Sequence, residues 1–440
     1  MNHIIKQQRI EVQIHQKMDS FLIQQKLSDG YWTYILPLLD SIFQNFSSED
    51  QVIMLDSITI DLGNLTLEEI SNFQINGKLE ELISSQVEVM LLKAKILRNP
   101  KELMSLALHH YYQWISYIQK GYLPWNVQNI PEDWQNHVLE SISSNIEVLE
   151  HFMNELSNQQ NSLLRVIRQH SDEFLIRLLK IIAPVYEQLI ESKTKDYYKS
   201  RNANSSLAQD KILRPREKFW EEIFEEAISL RLNKDQKPLE ESLDLISIQN
   251  NSTEVEFQDS ILEDIVAGEL IDLESSLYLS HVGLILIHPF LPSLFRRLDL
   301  LQEKAFLNLK LKERAIYLLH YAVTGLQNAK EYELVIPKII CDYPIKRSIP
   351  IEADLTISER EEVDAMLEAC IANWEILKST SIEGLRETFL QRPGKVVYNK
   401  DKITFQVEKG AVDMLLDYLP WNLNMIKFPW LKQIINVEWR

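Results

Sequence analysis

Residues 103–118, with the sequence LMSLALHHYYQWISYI, carry the clearest secondary-structure signal in the chain. Apolar side chains recur there at intervals of three and four residues, the period of a helix with one buried face. The stripe consists of Leu103, Leu106, Ala107, Tyr111, Trp114, Ile115 and Ile118. Gly121 and Pro124 follow and end the predicted helix, because neither residue favours its continuation.

The same period continues through most of residues 65–232. A second helix begins after Pro131, at an acidic first turn, and buries apolar residues as far as Leu156. A third is predicted from Ser162 to Glu191, with a bend at Pro184. Wide apolar faces separated by breaks are typical of helical hairpins packed side by side, whereas a coiled coil has a narrower seam.

The first sixty residues predict a small β-α-β element. Apolar and polar residues alternate over 10–14 and again over 58–62, which indicates two half-buried strands. Between them, Met18 to Phe46 has helical spacing, and Pro37 is expected to kink or break that helix.

The C-terminal residues have a mixed pattern. Leu284–Ile287 reads as a buried strand or core segment, and helices are expected at 302–325 and 358–378. A β-hairpin is predicted at 395–408, and strands are predicted near the end of the chain. We therefore expect a mainly α protein that ends in a compact α+β domain.

Charge and composition divide the chain further. Its net charge is -18, and it has only 10 glycines among 440 residues, which disfavours Gly-rich phosphate loops and a nucleic-acid-binding surface. Residues 233–276 contain 12 Asp and Glu against 2 Lys and Arg. This stretch is interpreted as an acidic connector.

Four regions follow from these patterns. Residues 1–64 form the N-terminal β-α-β anchor, and 65–232 form the helical-hairpin region. A polar, Ser- and Asn-rich mobile loop is predicted within the latter at 192–216. The acidic connector at 233–276 leads to the C-terminal α+β domain at 277–440.

No motif for catalysis, a cofactor or a metal is present. The chain lacks GxxxxGK[ST], GxGxxG, HExxH and CxxC, and its histidines have no metal-binding spacing. Cys341 and Cys370 lie among apolar neighbours, as buried thiols do. No stretch is long and apolar enough for a membrane span or a signal peptide, so we expect a cytoplasmic protein.

Several longer motifs resemble a known family. They include GLILIHPFLP at 283–292, ELVIPKIIC at 333–341, TSIEGLRE at 380–387 and FLQR at 389–392. Shorter matches are HII at 3–5, ITIDLG at 58–63, GYLPW at 121–125, RQHSDE at 168–173, LPW at 419–421, IK at 426–427, PW at 429–430 and VEW at 437–439. Together they resemble the tape-measure proteins of contractile injection systems, the phage-tail-like particles of bacteria. Asp342 stands where that family usually has glycine.

The resemblance implies structural or contact roles for the matching residues. These are His288, Pro289, Phe290, Pro292, Pro337, Lys338, Cys341, Trp374, Gly384, Leu385, Arg386, Phe389, Gln391, Arg392, Pro420, Trp421, Lys427, Pro429, Trp430, Glu438 and Trp439.

The resemblance also implies a non-enzymatic component that governs the length or assembly of the inner tube. Its expected partners are inner-tube, baseplate or tube-terminating subunits, with several copies in each particle, and neither nucleic acid nor a cofactor is expected. One alternative is a compact helical scaffold or assembly chaperone at the baseplate or tube end. A remote alternative is a hydrolase that uses His288 or the region of Cys341.

Overall fold

The computed structural model forms two compact units. It describes residues 3–14, 19–48, 50–71, 76–97, 103–127, 129–203, 210–232, 276–351, 354–399 and 402–439. We name the two compact units by their position in the chain. The N-terminal unit consists of Met1–Gln113 with Asn126–Ser141, and the C-terminal unit consists of Trp114–Trp125 with Ile142–Arg440. The predicted fold class is confirmed, because helices dominate and the larger sheet lies near the C-terminus.

Helices build most of the N-terminal unit. They are α1 (Ser20–Gly30), a π-helical turn (Tyr31–Ile35), α2 (Leu36–Phe46), α3 (Leu67–Ser71) and α4 (Asn76–Leu97). Pro37 lies in the first turn of α2 and does not end the helix, because a single wider turn precedes it. The core between α2 and α4 contains Ile35, Leu39, Ile42, Leu79, Ile83 and Val87.

The two strands predicted in this region are wrong. Within the described part of the chain, residues 10–14 and 58–62 pair with no strand. Strand β1 (Gln51–Ile53) pairs instead with β2 (Leu103–Ser105) in an antiparallel ladder. Ile58, Ile60 and Leu62 pack on the α2–α4 core. Alternation indicates only that one side of an extended chain is covered; a strand also needs a neighbour for its backbone hydrogen bonds.

The helical region is divided more finely than its periodicity indicates. It contains α5 (Leu106–Lys120), α6 (Trp134–Ser144), α7 (Ile146–Asn158), α8 (Gln160–Gln169) and α9 (Asp172–Ile182). A 3₁₀ turn (Pro184–Tyr186) follows. Asn145 and Ser171 cap α7 and α9 and thereby end the longer helices predicted from the sequence. The apolar period continues across these breaks because each successive helix buries an apolar face of its own.

The predicted mobile loop at 192–216 is wrong for the residues that the structure describes. Helix α10 (Glu187–Ala203) and helix α11 (Asp210–Leu232) occupy most of it. On α10, Ser192, Lys195, Asp196 and Lys199 are exposed, and Lys193 Nζ pairs with Glu226 Oε2 of α11 at 2.9 Å. The acidic connector falls almost wholly outside the described residues, which resume at Ser276.

The C-terminal α+β part begins with β3 and contains short helices around a large apolar core. Its elements up to the sheet are β3 (Ser276–Leu279), a 3₁₀ helix (Val282–Ile287), α12 (Leu291–Arg297), β4 (Leu301–Gln302), β5 (Ala305–Phe306), α13 (Leu309–Thr324), a 3₁₀ helix (Glu331–Leu334), α14 (Val335–Ile340), α15 (Ile357–Asn373), a 3₁₀ turn (Glu375–Leu377), α16 (Ile382–Leu385) and a π turn (Arg386–Leu390). The predicted helix at 302–325 starts later than expected because β4 and β5 form a small hairpin and Asn308 caps α13.

A mixed sheet closes one side of this core. It contains β6 (Gly394–Asn399), β7 (Lys402–Val407), β8 (Met425–Ile426) and β9 (Ile434–Glu438), and a 3₁₀ helix (Asp413–Tyr418) lies between β7 and β8. The strand order is β3-β6-β7-β9-β8, with only β7 and β9 parallel. The predicted hairpin at 395–408 is confirmed as β6 and β7. Of the described helices, none has the length and apolar composition needed to cross a bilayer.

Candidate functional site: a buried charge cluster

Three charged side chains lie together in the interior of the C-terminal unit. Arg165 lies in α8, Lys338 lies in α14, and Glu331 lies in the 3₁₀ helix that precedes α14. All three side chains are completely buried. Glu331 Oε1 accepts hydrogen bonds from Arg165 Nη2 at 3.1 Å and from Lys338 Nζ at 2.7 Å. We call Arg165, Glu331 and Lys338 the charge cluster.

The cluster holds two cations against one anion. Burial alone would raise the pKa of Glu331, but Lys338 and Arg165 outweigh it and hold that pKa below its usual range. Burial lowers the pKa of Lys338 to about 8, and Glu331 only partly opposes the shift. The excess positive charge is balanced by backbone carbonyls, since Lys338 Nζ also donates to Ile345 O at 3.2 Å and Arg347 O at 2.8 Å.

Helix α8 presents a polar face to the segment 345–348. Arg165 Nη2 donates to Lys346 O at 2.6 Å, and Arg168 Nη1 donates to Ser348 O at 2.9 Å. In the other direction, Ser348 N donates to Asn161 Oδ1 at 3.3 Å. The helical region and the α+β part are therefore joined by directional polar contacts, which specify one arrangement more strictly than apolar contacts do.

Arginines cap the carboxyl ends of several helices in this unit. Arg165 donates to Ile118 O at the end of α5, and Arg216 donates to Ile167 O at 2.8 Å and to His170 O at 3.0 Å at the end of α8. Arg231 donates to Ile182 O of α9 at 2.7 Å. Arg386 donates to Ala322 O of α13 at 3.1 Å. The last carbonyls of a helix have no partner within it and carry partial negative charge, so a guanidinium satisfies both needs. Each arginine comes from a later part of the chain and ties it to the end of an earlier helix.

Gly121 is required where α5 meets the charge cluster. Its φ is +80°, and a Cβ there would lie 2.9 Å from Ile345 O and 3.0 Å from Arg165 Nη2. Any side chain would therefore push the end of α5 away from both groups.

A buried histidine fixes the packing of α5 on α8. His170 Nε2 accepts a hydrogen bond from Trp114 Nε1 at 3.0 Å, so Nδ1 carries the proton and donates to Val166 O at 2.9 Å. The imidazole is neutral in this arrangement, and burial lowers its pKa to about 4. Protonation would place two N–H groups against each other and break the bond to Trp114.

We expect acid to destabilise the C-terminal unit through His170. Its pKa is about 4 when folded and about 6.5 when unfolded, so its contribution is intact above pH 6.5 and is lost as the pH falls through 4. Full protonation should reduce the free energy of unfolding by about 3 kcal/mol. Urea unfolding of His170→Gln between pH 7.5 and 4.5 should show a weaker pH dependence than that of the parent. If the free energy of unfolding changed with pH equally in the variant and the parent, the prediction would be contradicted. His151→Gln is the control, because His151 is exposed.

A histidine pair occurs in the N-terminal unit. His110 Nδ1 and His137 Nδ1 are 2.9 Å apart, so one donates to the other. Burial, with His137 and His109 nearby, lowers the pKa of His110 to about 4. The described residues bring together no group of three or more His, Cys, Asp or Glu side chains suited to a metal ion.

The family-motif residues are mostly part of the core. Buried are Pro337, Lys338, Cys341, Trp374, Leu385, Arg386, Phe389, Trp430 and Trp439. Partly buried are His288, Phe290, Pro292, Gly384, Gln391, Arg392 and Trp421, and exposed are Pro289, Pro420, Lys427, Pro429 and Glu438. A contact role for these residues stays a prediction, and it suits the five exposed ones best.

Two tryptophans connect separate motifs through backbone carbonyls. Trp421 Nε1 donates to Leu286 O at 2.9 Å, and the indole packs on Phe290 with ring centroids 5.2 Å apart. Trp430 Nε1 donates to Ile340 O at 2.7 Å. The motifs at 283–292 and 333–341 are thus each bound to the last part of the chain by an indole hydrogen bond.

The motif at 380–392 anchors α13. Arg386 Nε donates to Ala322 O at 3.1 Å and its Nη2 donates to Asp364 Oδ1 at 3.0 Å, while Gln391 Nε2 donates to Val323 O at 3.1 Å. The segment therefore caps one helix and ties it to another.

The residues named for a hydrolase do not form a catalytic arrangement. His288 Nδ1 donates to Ile285 O at 3.2 Å, so this nitrogen stabilises the local turn. Cys341 is fully buried, and burial raises the pKa of its thiol. A thiol that stays protonated and inaccessible is a poor nucleophile.

The family described as contractile injection system tape measure protein matches residues 2–439, which is nearly the whole chain. This chain belongs to that family. Neither a curated protein nor a solved structure matches it.

Family membership makes the chain a component of a contractile injection particle that contacts other particle proteins. The structure also explains the family position at 342. Asp342 has φ +54°, a left-handed conformation that glycine adopts without strain and that Asp tolerates better than most residues.

Sequence reasoning identified Lys338 but missed its partners Arg165 and Glu331. A usable signal was present, since Arg165 lies within the apolar run Leu163–Ile167 and Lys338 within Val335–Ile340. A charge on an apolar helix face indicates a buried, paired group. The sequence did not indicate which residue pairs with which, because the partners are 166 residues apart.

Proposed function

We propose that this tape measure family member acts during inner-tube assembly as a folded protein, and not as an extended ruler. The charge cluster is the observation that supports this proposal. Extending the chain would separate Arg165 from Glu331 and would uncover apolar helix faces. A partial extension that moved Arg165 away and left Glu331 and Lys338 buried would cost about 3 to 5 kcal/mol, because a buried ion pair would lose one partner.

Contour length supports the same proposal. A helix rises about 1.5 Å per residue, so α11, with 23 residues, spans only about 35 Å. Helices α7 to α9 have 13, 10 and 11 residues and end at side-chain caps or at arginine-capped carboxyl termini. Such helices pack side by side, and in that form their combined length along any one direction is short.

The ruler remains the second candidate, because the family is described by that role. As a ruler, the protein would be anchored at its two ends while its helical region extends and sets the length of the tube. The two candidates predict different dependences of particle length on chain length.

An insertion experiment separates the two candidates. Thirty residues of helix-forming sequence inserted near Asn250, within the acidic connector, would leave every described contact in place. A folded assembly factor should give particles of unchanged length in electron micrographs. A ruler should lengthen them by about 45 Å if the insert is helical and by about 100 Å if it is extended. Lengthening of either size would refute our proposal, and a scrambled Gly/Ser insert of equal length is the control.

We further propose that the binding partners are inner-tube, baseplate or tube-terminating subunits, met in the cytoplasm before the particle is complete. The five exposed motif residues, Pro289, Pro420, Lys427, Pro429 and Glu438, are the first positions to examine. Cross-linking from Lys427 in assembling particles should capture one of these subunits. Recovery of cross-links to none of them would oppose this assignment.

A further inference from the structure

Helix α4 has two apolar faces, and the residues that the structure describes cover only one of them. Leu79, Ile83, Val87 and Ala94 are buried on the side that packs in the N-terminal unit. The other face contains Leu82, Ser85, Val89, Leu92 and Ile96, which we call the exposed seam. Val89 is 48% exposed, Leu92 60% and Ile96 71%. At 3.6 residues per turn, the two faces lie about 150° apart.

The exposed seam has the spacing of a coiled coil. Its residues follow one another at intervals of three, four, three and four, which is a heptad repeat with Leu82, Val89 and Ile96 at a and with Ser85 and Leu92 at d. Helix packing within one domain uses a broader stripe and does not need this alternation. Val89 and Ile96 at a, with Leu92 at d, are the β-branched and leucine combination that favours two parallel strands; Leu82 and Ser85 do not follow that preference.

The charges beside the seam are complementary in a parallel pair. Glu88 occupies a g position and Lys93 the e position of the next heptad, and both are exposed. Neither forms an ion pair with another described residue. In a parallel dimer, Glu88 of each copy lies next to Lys93 of the second copy, so two opposite-charge pairs form.

We propose that the exposed seam of α4 pairs in parallel with the same helix of a second copy of this chain. The occupant is a second copy because the seam and its flanking charges are complementary to themselves. The seam covers only about two heptads, so the dimer is weak and forms at high protein concentration. This pairing does not depend on whether the folded protein or an extended form acts in tube assembly.

Cysteine cross-linking of the full-length protein tests the pairing directly. In a parallel dimer the two Leu92 positions face each other, so Leu92→Cys should give a covalent dimer after treatment with a short bis-maleimide. The natural cysteines, Cys341 and Cys370, are buried and should react little. Glu80→Cys is the matched control, since it is exposed on the same helix and lies about 160° from the seam.

A charge exchange tests the orientation. Glu88→Lys should weaken dimerisation about tenfold in analytical ultracentrifugation, because both interchain pairs become repulsive. Glu88→Lys combined with Lys93→Glu should restore it, since opposite charges face each other again. These residues are exposed, so the variants should keep the parent circular dichroism spectrum and melting temperature.

Three results would overturn the proposal. One is a monomer at every concentration tested, which would leave the seam to a different protein. Another is equal cross-linking of Leu92→Cys and Glu80→Cys. The third is failure of the double charge exchange to restore dimerisation, which would exclude parallel pairing.

Discussion

Glu331→Gln is expected to lower the free energy of unfolding of the C-terminal unit by about 3 to 5 kcal/mol. The substitution keeps the size of the side chain but removes the only anion in contact with Arg165 and Lys338 within the charge cluster. Two buried cations then face only neutral groups. Urea denaturation followed by tryptophan fluorescence would measure the change.

The pH dependence identifies the cause of this loss. The pKa of Lys338 is already lowered to about 8, and it falls further without Glu331, so Lys338 releases its proton more readily in the variant. The difference in stability between variant and parent should therefore shrink as the pH rises towards 8. Adding Lys338→Met should recover part of the loss because it removes one unpaired charge.

An exposed ion pair provides the control. Glu375 Oε1 lies 3.1 Å from Lys378 Nζ, and both side chains are mostly exposed. Glu375→Gln should therefore have little effect on the free energy of unfolding. A Glu331→Gln protein as stable as the Glu375→Gln protein would show that the charge cluster does not hold the helical region in place.

Gly283→Ala is expected to lower the free energy of unfolding by about 3 kcal/mol or more. A Cβ at this position would overlap the carbonyl oxygen of Phe389, and it would lie 3.0 Å from the carbonyl carbon and 3.1 Å from Arg392 Cβ. The obstacle is backbone, so a rotamer change cannot relieve it. The 3₁₀ helix Val282–Ile287 would have to move away from the π turn and lose the bond from Gly283 N to Arg392 O, now 3.1 Å.

Gly77→Ala is the matched control for that substitution. Gly77 lies in α4, and a Cβ there would meet no atom within 4 Å. Because alanine favours a helix more than glycine does, this variant should be as stable as the parent or slightly more stable. Comparable melting temperatures for the two alanine variants would contradict the close approach at Gly283.

Most helices were predictable because their signal is local. The stripe in 103–118 and the capping residues near Pro131 depend on residues within a few turns of each other. The hairpin at 395–408 was predictable for the same reason. The breaks at Asn145 and Ser171 were missed because the apolar residues on either side of each break keep a helical spacing.

The candidate site was predicted only in part. Motif resemblance selected Lys338 and Arg386, but it did not show that these side chains serve the interior rather than a partner surface. It also gave no indication of Arg165, which donates hydrogen bonds both to Glu331 and to a carbonyl in the last turn of α5.

The amino-acid sequence by itself determined that most of residues 103–191 are helical and to which family the chain is related, because both depend on residue types and their spacing. Only the tertiary structure decided the pairing of Arg165 with Glu331, the lack of a strand partner for 10–14 and 58–62, and the uncovered second face of α4. The physical reason is that burial and ion pairing depend on which distant surfaces meet, and a periodic pattern does not specify its partner.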